Sequence, residues 1–303
     1  MMRKKINKLL ALIALLCAVS MLFSACSQAS ASEKETCGKS GSLNCGQRIA
    51  ATSMATVYIM EKLDIDLVAV PHSDVDQIPE RYKNLSEIGS PMSPDQEKLA
   101  MIHPDWVIGP SSLAGDLIPV YEKLNLNYGF INLNNIPGMY KSIEDLGNLF
   151  NRREQAMKLV NEHKAFMEDY REKHPGGSDK RVLILMGLPG SYVAATENSY
   201  AGSLVKLAGG HNVYSNQKDA FINVNVEDML NKDPDIILRT SHAMPDAVKE
   251  MFSKEFEENP NWSHFRAVKE GKVYDLDHDR FGMSAKFNYT EALNDLEDIL
   301  YGS

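Results

Sequence analysis

Two distant stretches of the chain carry one pattern: Glu97-Lys-Leu-Ala-Met-Ile-His-Pro104-Asp105-Trp-Val-Ile108 and Glu227-Asp-Met-Leu-Asn-Lys-Asp-Pro234-Asp235-Ile-Ile-Leu238. In each, a helix-like run closes on Pro-Asp and a β-rich apolar run follows at once. Proline cannot continue a helix and biases the residue before it toward extended backbone, so Pro-Asp ends a helix and launches a strand. The repetition predicts two related α/β lobes.

The surrounding sequence agrees. Arg48–Thr52, Leu67–Val70, Trp106–Gly109 and Asn127–Asn132 read as buried strands, and Ala55–Leu63, Asp95–Ile102 and Leu117–Leu124 as amphipathic helices between them. Strand and helix in turn imply a parallel sheet covered on both faces. A long helical run from about Gly138 to Lys173 ends at the breakers His174-Pro175-Gly176-Gly177, and the apolar strand Arg181–Gly187 opens a second α/β region. The expected fold is therefore α/β, two parallel-sheet lobes joined by one long helix. The expected boundaries are a first lobe at 48–137, a linking helix at 138–175 and a second lobe at 176–303. Carboxyl ends of strands and N-termini of helices would line the gap between the lobes, where ligands bind in such folds.

Residues 1–25 do not belong to this fold. They hold Arg3, Lys4, Lys5 and Lys8, no acid, and an apolar run shorter than the roughly 20 residues of a membrane span. The run leaves through Leu22-Phe23-Ser24-Ala25-Cys26, which resembles a bacterial lipobox with Cys26 as the acylated mature N-terminus; an uncleaved single-pass anchor is the alternative. Both readings expect a domain tethered at the extracytoplasmic face of the cell membrane. Residues 26–47, polar and rich in Ser, Glu, Lys and Gly, read as a flexible tether. Cys37 and Cys45 within it are free to bridge or to stay reduced. Removing the first 25 residues leaves 28 cations against 41 acids, a net charge of −13. With no basic block beyond the signal, nucleic acid is excluded as a partner. No G-x-S-x-G, H-E-x-x-H or Walker loop is present, and Leu207-Ala-Gly-Gly-His211 lacks the dinucleotide fingerprint.

Two residues stand where a cleft ligand would meet them. Met92, in Ser90-Pro-Met-Ser-Pro-Asp95, falls on the loop before the helix bearing Glu97, with Ser93 as the expected N-cap. His242 follows the strand ending Arg239-Thr-Ser241. A thioether and an imidazole from opposite walls are an axial pair for haem iron. Taken singly, a methionine between prolines is more often loop packing, and a histidine after a strand a hydrogen-bonded loop residue. His72 is a rival or auxiliary ligand, and His278, in Asp277-His-Asp279, reads as a solvated side chain or a surface cation contact.

The segments Ala51-Thr-Ser-Met-Ala-Thr-Val, Glu87-Ile-Gly-Ser-Pro-Met-Ser-Pro-Asp95, Val182–Tyr192, Leu207-Ala-Gly-Gly210, Pro234–Arg239 with His242-Ala-Met-Pro245, and Val273-Tyr-Asp-Leu-Asp277 together resemble the IsdE-type haem-binding lipoproteins. These are class III substrate-binding proteins of ABC importers. The resemblance implies haem b as the transported ligand, its iron held by Met92 and His242, with surface haem donors upstream and an ABC permease downstream. It implies a monomeric receptor rather than an enzyme. Ala51, Thr52 and Ser53, leading into a helix N-terminus, would offer amide N–H groups to the haem propionates or serve only as a cap. Arg239 would form either a buried ion pair or the ligand rim. Glu97 and Glu227, placed alike on equivalent helices, would dock the permease or lie on a solvated face. The competing expectations are a ferric siderophore or corrinoid receptor of the same fold and a surface haem-modifying enzyme.

Overall fold

The computed structural model describes residues 46–302. The signal segment, Cys26, Cys37 and Cys45 lie outside the described residues, and no described helix is long and apolar enough to cross a membrane.

The first lobe begins with β1 (Ile49–Ala51), α1 (Met54–Lys62) and β2 (Ala69–Val70), then β3 (Ser86–Glu87) and a short hairpin of β4 (Gly89–Ser90) and β5 (Ser93–Pro94). It continues with α2 (Gln96–Ile102), β6 (Trp106–Pro110), α3 (Ala114–Lys123) and β7 (Asn127–Ile131). The sheet is parallel throughout, in the order β3-β2-β1-β6-β7. Chain direction across the sheet therefore reverses between β1 and β6, which makes their carboxyl ends the topological switch point. Sequence alternation sorts the two faces: Ile49 and Ala51 pack into one core and Ala50 into the other.

The linking segment differs from the single run expected from Gly138 to Lys173. It is two helices, α4 (Ile136–Leu149) and α5 (Arg153–Lys173). The chain turns between them at Asn151, whose φ of 55° lies in the left-handed region that Asn tolerates. The corner is tight because Gly147 has no side chain: a Cβ there would sit 2.4 Å from that of Ala156. At ~1.5 Å per residue α5 alone spans about 31 Å and is the helix that joins the lobes. Arg152, at its start, donates to the Asp64 carbonyl of the first lobe at 2.9 Å. Near its end the Tyr170 hydroxyl donates to the Leu293 carbonyl at 3.3 Å, and His174 meets Glu297 at 3.2 Å.

The second lobe runs β8 (Arg181–Leu188), β9 (Ser191–Ala195), α6 (Tyr200–Leu207), β10 (His211–Asn212), β11 (Phe221–Ile222), α7 (Val226–Asn231) and β12 (Ile236–Ser241). It closes with α8 (Pro245–Glu258), α9 (Arg266–Lys269), β13 (Val273–Asp275) and α10 (Tyr289–Tyr301). Strands β8, β12 and β13 are parallel, as expected, but β9 folds back antiparallel on β8 and carries β11 at its far edge, so this sheet is mixed. The reversal follows from Pro189-Gly190, a two-residue turn with Gly190 at φ 81°. Val182, Ile184 and Met186 of β8 face the core shared with α4, α5 and the first lobe, while Leu183 and Leu185 face α8 and Trp262.

The repeated Pro-Asp motif is repeated in atomic detail. His103 and Asp233, the residues before the prolines, are both left-handed, with φ of 49° and 43°, rather than extended as the following prolines predict. The Asp105 carboxylate accepts from the Arg48 backbone N–H at 2.7 Å, and the Asp235 carboxylate from that of Arg181 at 2.8 Å. Each aspartate thus fastens a helix exit to the strand beside it.

Candidate functional site

The carboxyl edges of the two sheets meet. Lys286, beyond β13, extends its ammonium to Asp76, on the segment after β2, and to Asp279, each at 2.7 Å. Beside this contact the Ala285 N–H donates to the carbonyl of Leu133, just past β7. Lys286 and Asp76 are 18% and 17% exposed, so the ion pair is mostly withdrawn from water, and its carboxylate partners keep the ammonium pKa above its usual value despite burial. Sequence gives no sign of this pair, since its members lie far apart along the chain and neither belongs to a motif.

Met92 sits at the tip of the β4–β5 hairpin, where the turn leaves its side chain 65% exposed. The hairpin is an insertion between β3 and α2 rather than a simple loop, and the N-cap of α2 is Asp95, which accepts from the Lys98 N–H at 3.0 Å, in place of the expected Ser93. Asp95 wins because Ser93 is spent as a strand residue opposite Ser90. A backbone bond from the His72 N–H to the Gly89 carbonyl, 2.8 Å, ties the hairpin to the preceding segment.

His242 follows the last residue of β12, and its N–H donates to the Gly187 carbonyl at 3.0 Å, which fixes it at the carboxyl end of β8 and β12. Burial, with the nearby charge of His278, lowers its pKa below the usual imidazole value. Its buried Nδ1 has no hydrogen-bond partner among the described residues. An exposed thioether on a first-lobe hairpin and an imidazole at the carboxyl end of a second-lobe strand are the donor types that a porphyrin iron takes axially. No group of three or more described His, Cys, Asp or Glu residues could hold a bare metal ion.

The remaining candidates divide. His72 is exposed and both its ring nitrogens face carboxylates, Nδ1 that of Glu87 at 2.6 Å and Nε2 that of Asp74 at 3.1 Å. The hydrogen bonds to Glu87 and then Asp74 raise its pKa and engage both ring nitrogens. Arg239 realises the ion-pair alternative: it grips Asp275 with two bonds of 2.7 Å, and its guanidinium stacks over Phe256 and Phe252 beneath α8. Ala51 and Thr52 are fully buried at the end of β1, and Ser53 caps α1 by accepting from the Thr56 N–H at 3.3 Å. The side chains of this segment are thus occupied, which leaves first-turn amides at the switch point as its open donors. Glu97 and Glu227 are both exposed in the first turns of α2 and α7.

Comparison with known proteins follows this geometry. Residues 49–280 match the family described as periplasmic binding protein. The high-affinity heme uptake system protein IsdE of Staphylococcus aureus is 41% identical over 289 residues, covering 93% of this chain and 95% of that protein. The crystal structure of S. aureus IsdE complexed with heme superposes with a TM-score of 0.80 at 41% identity, over 85% of this chain and all of that one. An ABC transporter substrate-binding protein from Listeria monocytogenes EGD-e gives the same TM-score at 42% identity, over 85% and 99% of the two chains.

Proposed function

Because the chain belongs to the periplasmic binding protein family, in the branch of the IsdE haem-uptake proteins, we propose that it is a haem receptor that hands its ligand to an ABC permease. The observation that carries this is the 41% identity to a staphylococcal haem uptake protein along 95% of its length. The exposed Met92 on the first-lobe hairpin and His242 at the carboxyl end of β12, its buried Nδ1 without a hydrogen-bond partner among the described residues, support it.

In this function haem b enters between the lobes as cargo, and Met92 and His242 supply the two axial donors. Both axial positions are then filled by protein, so oxygen and peroxide find no open coordination site, and the receptor performs no bond-breaking chemistry. The first-turn amides of α1, after Ser53, receive propionate charge at the positive end of the helix dipole, worth roughly 0.3–1 kcal/mol per charge. This local attraction offsets the unfavourable field of an acidic protein. Glu97 and Glu227 dock to basic residues of the permease, one from each lobe. Acylation at Cys26 holds the monomer at the outer face of the membrane, where surface proteins deliver haem to it.

The test is spectral. Residues 26–303, mixed with ferric haem b, are expected to give a six-coordinate low-spin absorption spectrum, and Met92→Ala is expected to disturb it while far-UV circular dichroism stays unchanged. A wild-type spectrum that remains five-coordinate high-spin removes the proposed pair of ligands, and failure to bind haem at all removes the receptor assignment.

A further inference from the structure

The two carboxylates that Lys286 holds belong to loops that brace the elements carrying Met92 and His242. In the first lobe the Asp76 N–H donates to the Ser73 hydroxyl at 3.0 Å, and the Tyr58 hydroxyl steadies the same loop by donating to the Gln77 carbonyl at 3.2 Å. His72, beside Ser73, donates its N–H to the Gly89 carbonyl at 2.8 Å, in the β4–β5 hairpin that presents Met92. In the second lobe Asp279 is the chain neighbour of His278, whose Nδ1 lies 3.0 Å from the Ser241 carbonyl oxygen and 3.1 Å from the Ser241 hydroxyl. The Phe281 carbonyl, also on this loop, accepts from the buried Thr240 hydroxyl at 2.9 Å. Thr240 and Ser241 end β12 and lead directly into His242. A continuous set of bonds therefore runs from the hairpin of Met92, through the Lys286 ammonium, to the turn that bears His242.

Lys286 is poorly placed to bind a haem propionate itself. Two of its three ammonium donors are spent on Asp76 and Asp279, each at 2.7 Å, and its side chain is 18% exposed. One cation between two carboxylates is net negative, so the cluster repels a further carboxylate. Its effect is on distance instead. A sulfur and a nitrogen share one iron atom only when both are held to about 0.5 Å of the required geometry, and donors on separate lobes depend for that on whatever fixes lobe to lobe. Charge-assisted bonds are short and directional, which suits them to the task.

We propose that Lys286, acting through Asp76 and Asp279, is a positioning residue for iron: it fixes the gap between the lobes at the width across which Met92 and His242 both reach the metal. This role rests on the haem-receptor reading of the site. Without the ammonium, the two carboxylates it holds face one another unscreened, the gap widens, and one axial bond is lost.

Ferric haem b is added to residues 26–303 as wild type, Lys286→Met, Asp76→Asn and Met229→Ala, at a temperature where circular dichroism shows each to be folded. Met229 is fully buried under α8, in the outer core of the second lobe, so its truncation loosens the protein without touching the contact between the lobes. Lys286→Met and Asp76→Asn are both expected to move iron from six-coordinate low-spin toward five-coordinate high-spin and to lose haem about tenfold faster, within the range seen when groups supporting a metal site are removed. Met229→Ala is expected to keep the wild-type spectrum. A Lys286→Met spectrum as fully low-spin as wild type overturns the proposal, whatever the rate of haem loss, and so does a Met229→Ala spectrum shifted as far as that of Lys286→Met. Slower haem loss in Asp76→Asn also overturns it, since that would mean the freed ammonium turns to a propionate. Should Lys286→Met fail to fold, Asp76→Asn is read by the same spectral criterion. Wild-type protein that takes up no haem overturns the receptor reading itself, an outcome distinct from unchanged variants of a protein that binds.

Discussion

Replacing Lys286 with Met keeps an apolar stem of similar length and removes a charge that bonds carboxylates of both lobes. Asp279 is 61% exposed, so its share is that of a surface pair, about 0.5 kcal/mol. Asp76 is 17% exposed and receives a charge-assisted bond of 2.7 Å, for which about 1.5–3 kcal/mol is appropriate, and it would be left as a largely desolvated anion with only the Tyr58 hydroxyl beside it. The expected loss is therefore about 3 kcal/mol in urea unfolding, or a fall of roughly 6–12 °C in Tm for a protein of this size. A cycle with Asp76→Asn isolates the pair: the double variant is expected to be less destabilised than the sum of the single ones, with a coupling energy of about 1.5 kcal/mol. Coupling below about 0.5 kcal/mol would refute the argument, since it would mean that water, not the opposite lobe, satisfies Asp76.

Three further outcomes are expected. Burial first, then the charges of Arg171 and Lys164, lower the His163 pKa to about 4, while its ring stacks on Tyr140 at 4.0 Å and its Nδ1 meets the Tyr289 hydroxyl at 2.9 Å. Its neutral form is favoured by the fold, so this stability is full above the unfolded value near 6.5 and is lost as pH falls toward 4. Discounted for partial exposure, the loss is on the order of 2 kcal/mol. Wild type and His163→Phe compared by urea unfolding at pH 7.5 and 4.5 should converge at the lower pH, and a constant gap would exclude the effect. In Gly187→Ala the new Cβ would fall 2.2 Å from Val248 and 2.7 Å from Phe252. A loss of about 1–3 kcal/mol follows, with weakened haem binding because the Gly187 carbonyl holds the His242 N–H; titration calorimetry and thermal melts measure both. Glu97→Ala with Glu227→Ala should leave stability within about 0.5 kcal/mol and haem binding unchanged while abolishing haem-dependent growth on limiting iron, and undiminished growth would return both acids to the solvated surface.

The lobes were legible because Pro-Asp does its work locally. The aspartate bonds to Arg48 and Arg181 lie beside the motif that announces the helix exits, although the left-handed backbone at 103 and 233 departs from the extended form expected before proline. The break in the linking segment was not legible, since Phe150-Asn151-Arg152 holds neither Gly nor Pro, and the corner depends on Gly147 meeting Ala156 several residues later. The antiparallel β9 was hidden for a different reason: apolar β-rich runs look alike whichever way they pair, and only Pro189-Gly190 marked the reversal. At the candidate site, the positions of Met92 and His242 beside strand ends were readable from turn signals. The partners of Arg239 and His72 were not, because Asp275 and Glu87 become neighbours only through strand pairing and the hairpin between β3 and α2.

The core that runs from Ile49 and Ile59 through Ile143, Val160 and Tyr170 to Ile184 and Leu296 belongs to neither lobe alone. Cutting the chain at the connecting helix would strip both halves of the surface against which they pack, and neither would be expected to fold as an independent fragment. Calorimetry should record one endotherm for residues 46–302, with van't Hoff and calorimetric enthalpies in agreement. The two halves share a Pro-Asp motif, but the thermodynamic unit is the whole.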